Sequence, residues 1–254
     1  MFSLNDAQIK ASKNYYKENG FCVLRNIISD FQVDELLKIL DSIIEKYKHH
    51  DEVGSYINYA SKEKNIVNSI HRINELNDKD LEKFIKDCKL ENLAEFILDS
   101  KVELFSIQAF LKPAGNGLRT PPHQDNAYWC HNGDGGITFW IALDKAGKFN
   151  SMMKFAKSSP NYIIDHHLSR DTPGSSKIIK DELIENFDWF QPEMEIGDIS
   201  VHNGLVVHYS EPNKSKFQRR GFLLNFKTPL HIKDYEKQKK YFENLESIHG
   251  RVYK

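Results

Sequence analysis

From residue 102 onward the chain breaks into short apolar or alternating runs, and this change of period constrains the fold most. The runs are "VELFSIQAFLK", "GITFWIALD", "NSMMKFA", "EMEIGDISVHNG", "LVVHYSE" and "RRGFLLNFK", separated by turn residues. A period of two places alternate side chains on opposite faces of a strand. Several such runs in close succession predict an antiparallel sandwich or barrel. Residues 160–190, rich in Pro, Ser, Asp and Gly, read as a long excursion with little regular structure.

The first hundred residues carry a different pattern and predict a mostly helical part over about 1–100. Residues 5–19 read as a short helix closed by Gly20, and "FCVLRNI" follows as a strand. Ser29 and Gln32 have the spacing of a capping box. Behind them Val33, Leu36, Leu37, Leu40, Ile44 and Tyr47 recur at helical spacing. Another helix is expected over about 78–99, the β core over about 102–228, and a closing helix over about 233–247. Helices followed by strands predict a β core buttressed on one side. No repeat or low-complexity linker divides the chain, so a single domain over 1–254 is expected. Its 254 residues are 40% apolar, enough to bury a sizeable core.

Charge and cysteine usage exclude several classes. Lys+Arg 35 against Asp+Glu 36 gives a net charge of -1, so no global field steers the chain toward nucleic acid or anionic lipid. The Lys-rich stretches at 13–17 and 233–240 alternate with acidic and aromatic residues and read as solvated helix faces. Cys22, Cys88 and Cys130 form no CxxC pair, which excludes a cysteine zinc cluster and argues against a disulfide framework. No run approaches the roughly 20 apolar residues of a membrane span. The N-terminus lacks a signal-peptide core and "RVYK" is not a peroxisomal address, so a cytoplasmic chain is expected.

The chemistry concentrates around "TPPHQDNAYW", where His123 and Asp125 stand two residues apart. On an extended segment both point the same way. Such pairs also arise by chance, and a third ligand has to come from a neighbouring strand. Among eleven histidines the best candidate is His208 in "GDISVHNGLVVHYSEPN", on an apolar strand ending in a turn. Two His and one carboxylate on one face leave three coordination positions open, a donor set suited to Fe(II) and oxygen chemistry. "SKFQRRGFLLNF" then places two arginines at the start of an apolar strand. Alternation lets only one of Arg219 and Arg220 face inward, where a guanidinium can grip a carboxylate in bidentate fashion. Ser210 shares the face of His208 and can add a hydrogen bond, a combination that suits a dicarboxylate chelating the metal at its other end.

Other candidates carry two readings each. His202 either lines the site or is a buried, hydrogen-bonded structural residue. A ligand role for His131 or Asp134 would compete with His208. Asn126 and Tyr128, close to Asp125, either face substrate or belong to the core. His166 and His167 are expected to be solvent-exposed. No Ser-His-Asp arrangement and no Gly-rich phosphate loop before a helix is present.

In order and spacing, "KENGFCVLRNIISDFQVDEL", "HQDNAYW", "FWIALD", "GDISVHNGLVVHYSEPN" and "QRRGFLLNF" resemble the phytanoyl-CoA dioxygenase (PhyH) family of Fe(II)/2-oxoglutarate oxygenases. The resemblance spans roughly residues 10–228. It implies a mainly β fold with flanking helices around a double-stranded β-helix (jelly-roll, cupin-like) core. It implies iron held by His123, Asp125 and His208, and Arg219 with Ser210 on the far carboxylate of 2-oxoglutarate. Gln124 and Trp140 fall where relatives line the cosubstrate pocket, and Gln108 on a strand leading into it. The implied cofactors are Fe(II), 2-oxoglutarate and O2, with ascorbate as a stimulant, and the implied products succinate, CO2 and a hydroxylated substrate. Related halogenases lack the carboxylate, so Asp125 favours hydroxylation.

"FNSMMKFAKSSPN" departs from the family's Asn-Gly turn and "PGSH"-like stretch on the substrate side, so relatives' substrates do not carry over. With near-neutral charge and no acyl-binding signature, a small polar metabolite is expected, a phosphonate, amino acid or amine derivative meeting Asn126, Tyr128 and His202. Monomer and homodimer stay open. The alternative is a metal-binding β-barrel homologue without turnover, serving as a binding or regulatory protein; a scaffold needs no Arg219 and no triad.

Overall fold

Ser29 accepts the backbone N–H of Gln32 while the Gln32 side chain accepts that of Ser29, and this closed box starts a long helix. The computed structural model describes residues 6–48, 57–61, 66–133, 135–169, 172 and 174–249. Within them α1 (Asp6–Asn19), β1 (Phe21–Leu24) and α2 (Asp30–Tyr47) come first. Val33, Leu36, Leu40 and Ile43 form the buried stripe of α2, with Leu37, Ile44 and Tyr47 packed along its edge. The expected stripe is thus rotated slightly toward Ile43.

Two local expectations change. Residues 57–61 and 66–70 form strands, β2 (Ile57–Ser61) and β3 (Ile66–Ile70), within the part read as helical. They are strands because β3 pairs with β4 (Glu103–Lys112) and so extends a large sheet. The helix expected over 78–99 is two helices, α3 (Lys79–Asp87) and α4 (Leu90–Leu98). Lys89 between them has φ 52, and a left-handed residue cannot continue a right-handed helix.

The β part continues with β5 (Thr120–His123), the single turn α5 (Asn126–Trp129), β6 (His131–Asn132), β7 (Gly136–Ala142) and β8 (Lys154–Ala156). Among the described residues the 160–190 excursion holds the short pair β9 (His167–Leu168) and β10 (Lys177–Ile178), a 3-10 turn and β11 (Trp189–Phe190). Then follow β12 (Ile199–Asn203), β13 (His208–Ser210), β14 (Arg219–Lys227), β15 (Ile232–Lys233) and α6 (Tyr235–His249), the closing helix set two residues later than expected. A seven-stranded sheet has the order β1-β12-β7-β14-β4-β3-β2, and a four-stranded sheet the order β11-β8-β13-β5. All their pairings are antiparallel.

Alternation sorts the large sheet into two faces. Ile107, Ala109, Phe139, Ile141, Val201, Phe222, Leu224 and Phe226 pack with the stripe of α2 and with α3 and α4. Thr138, Trp140, His202, Arg219, Gly221 and Asn225 take the opposite parity and face the four-stranded sheet. The result is the double-stranded β-helix, covered by helices on one side. No described helix is long and apolar enough to cross a membrane, and all three cysteines are buried and free.

Gly197 clamps the helical part to the barrel. Its carbonyl accepts the N–H groups of Ile27 (3.2 Å) and Ile28 (3.1 Å), and its own N–H donates to Ala142 O at 2.9 Å. It has φ +79, and a Cβ there would lie 1.8 Å from Ile28 O. Gly197→Ala should therefore destabilise the fold by about 1–2 kcal/mol from the left-handed backbone alone, with the backbone clash adding to that. Urea denaturation would show this as a lowered midpoint; an unchanged midpoint would mean the loop yields freely.

Candidate active site

His123 ends β5 and His208 begins β13, and the two are directly paired across the ladder. Asp125 follows two residues later at the start of the α5 turn. His123 Nε2 and His208 Nε2 lie 3.5 and 3.6 Å from the same oxygen, Asp125 Oδ1. The three donor atoms lie within 4.8 Å of one another. The far side of each ring explains this aim. His123 Nδ1–H donates to Pro121 O at 2.8 Å, and His208 Nδ1–H to Val206 O at 2.9 Å. A carbonyl only accepts, so both protons sit on Nδ1 and both Nε2 lone pairs point inward. Burial opposes ionisation of Asp125, but the surrounding imidazoles of His208, His123 and His202 outweigh it and hold the carboxyl well below its usual range. Burial, with His123 and His202 beside it, holds His208 well below the usual imidazole value. Two imidazole nitrogens and one carboxylate oxygen thus converge, an arrangement that a divalent cation completes.

At the other end of the chamber Arg219 faces inward and Arg220 outward. Arg220 forms a fork with Asp144, Nε–Oδ2 and Nη2–Oδ1 both 2.8 Å. Arg219 is 2% exposed, its guanidinium 4.6 Å from the Trp140 ring centre. Burial pulls it down to about 9, only partly offset by Asp144. Its Nε and Nη2, and the buried Nε1 of Trp140, have no partner among the described residues. Gly221 makes room for this stack, because a Cβ there would fall 2.1 Å from the Trp140 ring.

Lys112, which sequence reasoning missed, stands directly opposite Arg219 in the β4–β14 ladder and is fully buried. Its ammonium donates to Glu211 O at 2.7 Å and to Ser210 O and Ser151 Oγ at 3.3 Å. Burial and the neighbouring Arg219 hold it well below the ordinary lysine value. Two adjacent buried basic groups with no acidic side chain hydrogen-bonded to either suit an anionic ligand. The parity of Gln108, Phe110 and Lys112 along "SIQAFLK" was the available signal.

The softer assignments divide. Ser210 is buried beside Lys112 and receives that ammonium on its carbonyl. Gln108 lies half-buried on the same strand face, its Nε2 3.3 Å from Ser106 Oγ and 3.5 Å from Asn225 Oδ1. Gln124 does not offer its amide to a cosubstrate pocket. Nε2 donates to Tyr162 O (2.9 Å) and Leu205 O (2.7 Å), and Oε1 accepts the N–H of Ile164 (2.7 Å), so it ties the excursion to the ligand turn. Asn126 is likewise used internally, its Nδ2 donating to Gly133 O at 3.1 Å and its N–H to Gly204 O at 2.9 Å. The Tyr128 hydroxyl donates to Lys177 O at 2.5 Å and accepts Lys177 N–H at 3.1 Å, which leaves only the ring, edge-on to His123, as a wall of the site. His202 is fully buried with Nε2 3.1 Å from Asp125 Oδ2, so of its two readings the hydrogen-bonded one holds.

His131 and His166 lie outside the donor group. His131 stacks on His231 at 4.6 Å beside Phe105 and Trp129 and is not part of the converging donor group, while Asp134 lies outside the described residues. His166 is not solvent-exposed. Its Nδ1–H donates to Ile164 O (2.6 Å), its Nε2 accepts Gln124 N–H (3.1 Å), and burial holds it at about 4.

The fold and the site agree with comparisons to known proteins. The phytanoyl-CoA dioxygenase (PhyH) family model matches residues 16–221. A phytanoyl-CoA dioxygenase domain-containing protein 1 homolog of Dictyostelium discoideum is 24% identical, over 83% of this chain and 88% of that protein. A 2-aminoethylphosphonate dioxygenase of the uncultured bacterium HF130_AEPn_1 is 22% identical, over 95% of this chain and 92% of its own length. The crystal structure of AviO1 from Streptomyces viridochromogenes Tue57 superposes with a TM-score of 0.70 at 18% identity, covering 91% of this chain and 98% of that one. The match over most of the chain means that it belongs to the phytanoyl-CoA dioxygenase (PhyH) family, the dioxygenases that work with Fe(II), 2-oxoglutarate and O2.

Proposed function

We propose that this dioxygenase hydroxylates a small polar metabolite at an Fe(II) held by His123, Asp125 and His208, with 2-oxoglutarate anchored by Arg219. The observation that carries the reading is the aim of both imidazole Nε2 lone pairs at Asp125 Oδ1, each ring locked by its Nδ1–H on a carbonyl. When bound, Fe(II) and 2-oxoglutarate supply the oxidising chemistry, which splits O2 between succinate and the new hydroxyl group and releases CO2.

The protein's own residues handle binding and orientation. Arg219 offers the unpartnered Nε and Nη2 to the far carboxylate, while Lys112 across the ladder is already bonded to Glu211 O, Ser210 O and Ser151 Oγ. The Trp140 ring supports the guanidinium and keeps its plane fixed. Tyr128 shields one side of His123.

A polar group lies on the face of the sheet that carries Gln108. Gln108, Ser69, Asn58 and His71 are hydrogen-bonded among themselves there, and burial lowers His71 to about 4, so its ring is neutral at pH 7. Such a wall suits a small substrate with hydrogen-bonding groups better than an acyl chain. Of the phosphonate, amino acid and amine derivatives in view, a relative named for 2-aminoethylphosphonate, with another named as a probable hypophosphite dioxygenase, supports a small phosphorus-containing substrate.

Three measurements test this. About one Fe(II) per chain should bind, and His123→Ala or His208→Ala should remove it; full metal content in both variants would refute the triad. Arg219→Ala should raise the 2-oxoglutarate requirement by roughly 2–5 kcal/mol, as expected when one side of a desolvated charge pair is deleted. Arg219→Lys should restore binding only in part, because the fork is lost, and Arg220→Ala should leave the requirement unchanged. A panel of phosphonates, amino acids and amines, assayed with Fe(II), ascorbate and O2, should contain compounds that raise succinate release stoichiometrically with a hydroxylated product. Turnover with fatty acyl-CoA alone would overturn the substrate class.

A further inference from the structure

The second oxygen of Asp125 is held as firmly as the first is left free. Oδ2 accepts Thr138 Oγ1–H at 2.5 Å and His202 Nε2–H at 3.1 Å. Thr138 in turn accepts Asn225 Nδ2–H at 2.8 Å, and the Asn225 carbonyl oxygen lies 3.5 Å from Gln108 Nε2. A carboxylate only accepts and the Asn225 amide here only donates, so the threonine proton has one direction left, onto Asp125.

The arrangement comes from register. His202 pairs with Thr138 in the β12–β7 ladder and Asn225 pairs with Thr138 in the β7–β14 ladder, so the three form one row across three adjacent strands. All three are at most 1% exposed. None of them was singled out by sequence as acting on Asp125.

We propose that the row His202, Thr138 and Asn225 positions Asp125 as a metal ligand through one oxygen only. The proposal rests on the reading of Asp125 as a ligand. With Oδ2 already accepting from Thr138 and His202, Asp125 would offer a metal Oδ1 alone. Thr138 and His202 are positioning residues; neither meets the reacting atoms. Partners of ligating side chains commonly set metal affinity by about 10–100-fold.

The test titrates Co(II), a spectroscopic substitute for iron, into the full chain under anaerobic conditions and reads its visible ligand-field absorption. Thr138→Val, which keeps the shape and deletes the donor, should weaken Co(II) about 10–100-fold and change the band shape. Thr138→Ser should restore both affinity and spectrum, a rescue that a purely space-filling role for Thr138 does not predict. Asn225→Ala leaves both Oδ2 contacts in place but frees the hydroxyl to rotate, so it should weaken binding less. Combined with Thr138→Val it should add nothing, because its effect passes through the hydroxyl.

A folded Thr138→Val protein with wild-type Co(II) affinity and spectrum overturns the proposal. If that variant fails to fold, by circular dichroism, Asn225→Ala decides alone, and wild-type affinity and spectrum there overturn it. A wild-type chain that takes up no Co(II) instead overturns the metal reading itself, and the two failures are told apart by that first titration.

Discussion

β14 lies between β4 and β7, and its register with both decides which side chains enter the chamber. Arg219, Gly221, Leu223 and Asn225 go in, while Arg220, Phe222, Leu224 and Phe226 go toward the helices. A slip of one residue would exchange the two sets, because the side-chain period of a strand is two. It would bury Phe222 where Trp140 now meets Gly221 and send Arg219 into the apolar layer under α2. The pairing is enforced from both sides: the helical face accepts only the apolar set, and the inner face has room for Trp140 only over a glycine.

That register also distributes charge. One end of the chamber holds Arg219 and Lys112 side by side, both buried, and the other holds the Asp125 carboxylate among imidazoles. Neither end is at its electrostatic optimum with protein groups alone. Burying unpaired ions is costly, so these positions are better explained by what they bind than by stability. Arg220, one residue away, shows the contrast: its Nε and Nη2 both bond a carboxylate of its own, Asp144. The 2-oxoglutarate reading of Arg219 follows from that difference within one dipeptide.

The ligand turn is braced from outside the barrel. Gln124, His166 and Tyr128 tie residues 123–128 to the backbone of 162–164 and 177. The excursion has almost no regular structure, yet its backbone groups are the partners that orient the strand end carrying His123. Its composition, rich in turn residues, is what allows a segment without a ladder of its own to supply carbonyls and N–H groups at these places.

Short-range pattern made much of this legible from residues alone. The period-two runs announced the sheets, Ser29 and Gln32 announced α2, and the two-residue spacing of His123 and Asp125 with His208 on a later strand picked out the donors that the structure brings together. Parity likewise required one of Arg219 and Arg220 to turn inward. Which of the two does so depends on the partners β4 and β7, and these are set by contacts far apart in sequence. The same reason hides Lys112, Thr138 and Asn225, which look like ordinary strand residues until cross-strand neighbours are known. It also explains β2 and β3, which are strands because an open sheet edge accepts them, and the two readings of His202, which only the position of Asp125 Oδ2 separates. Spacing along the chain specified the donor types, and pairing between strands decided what each donor faces.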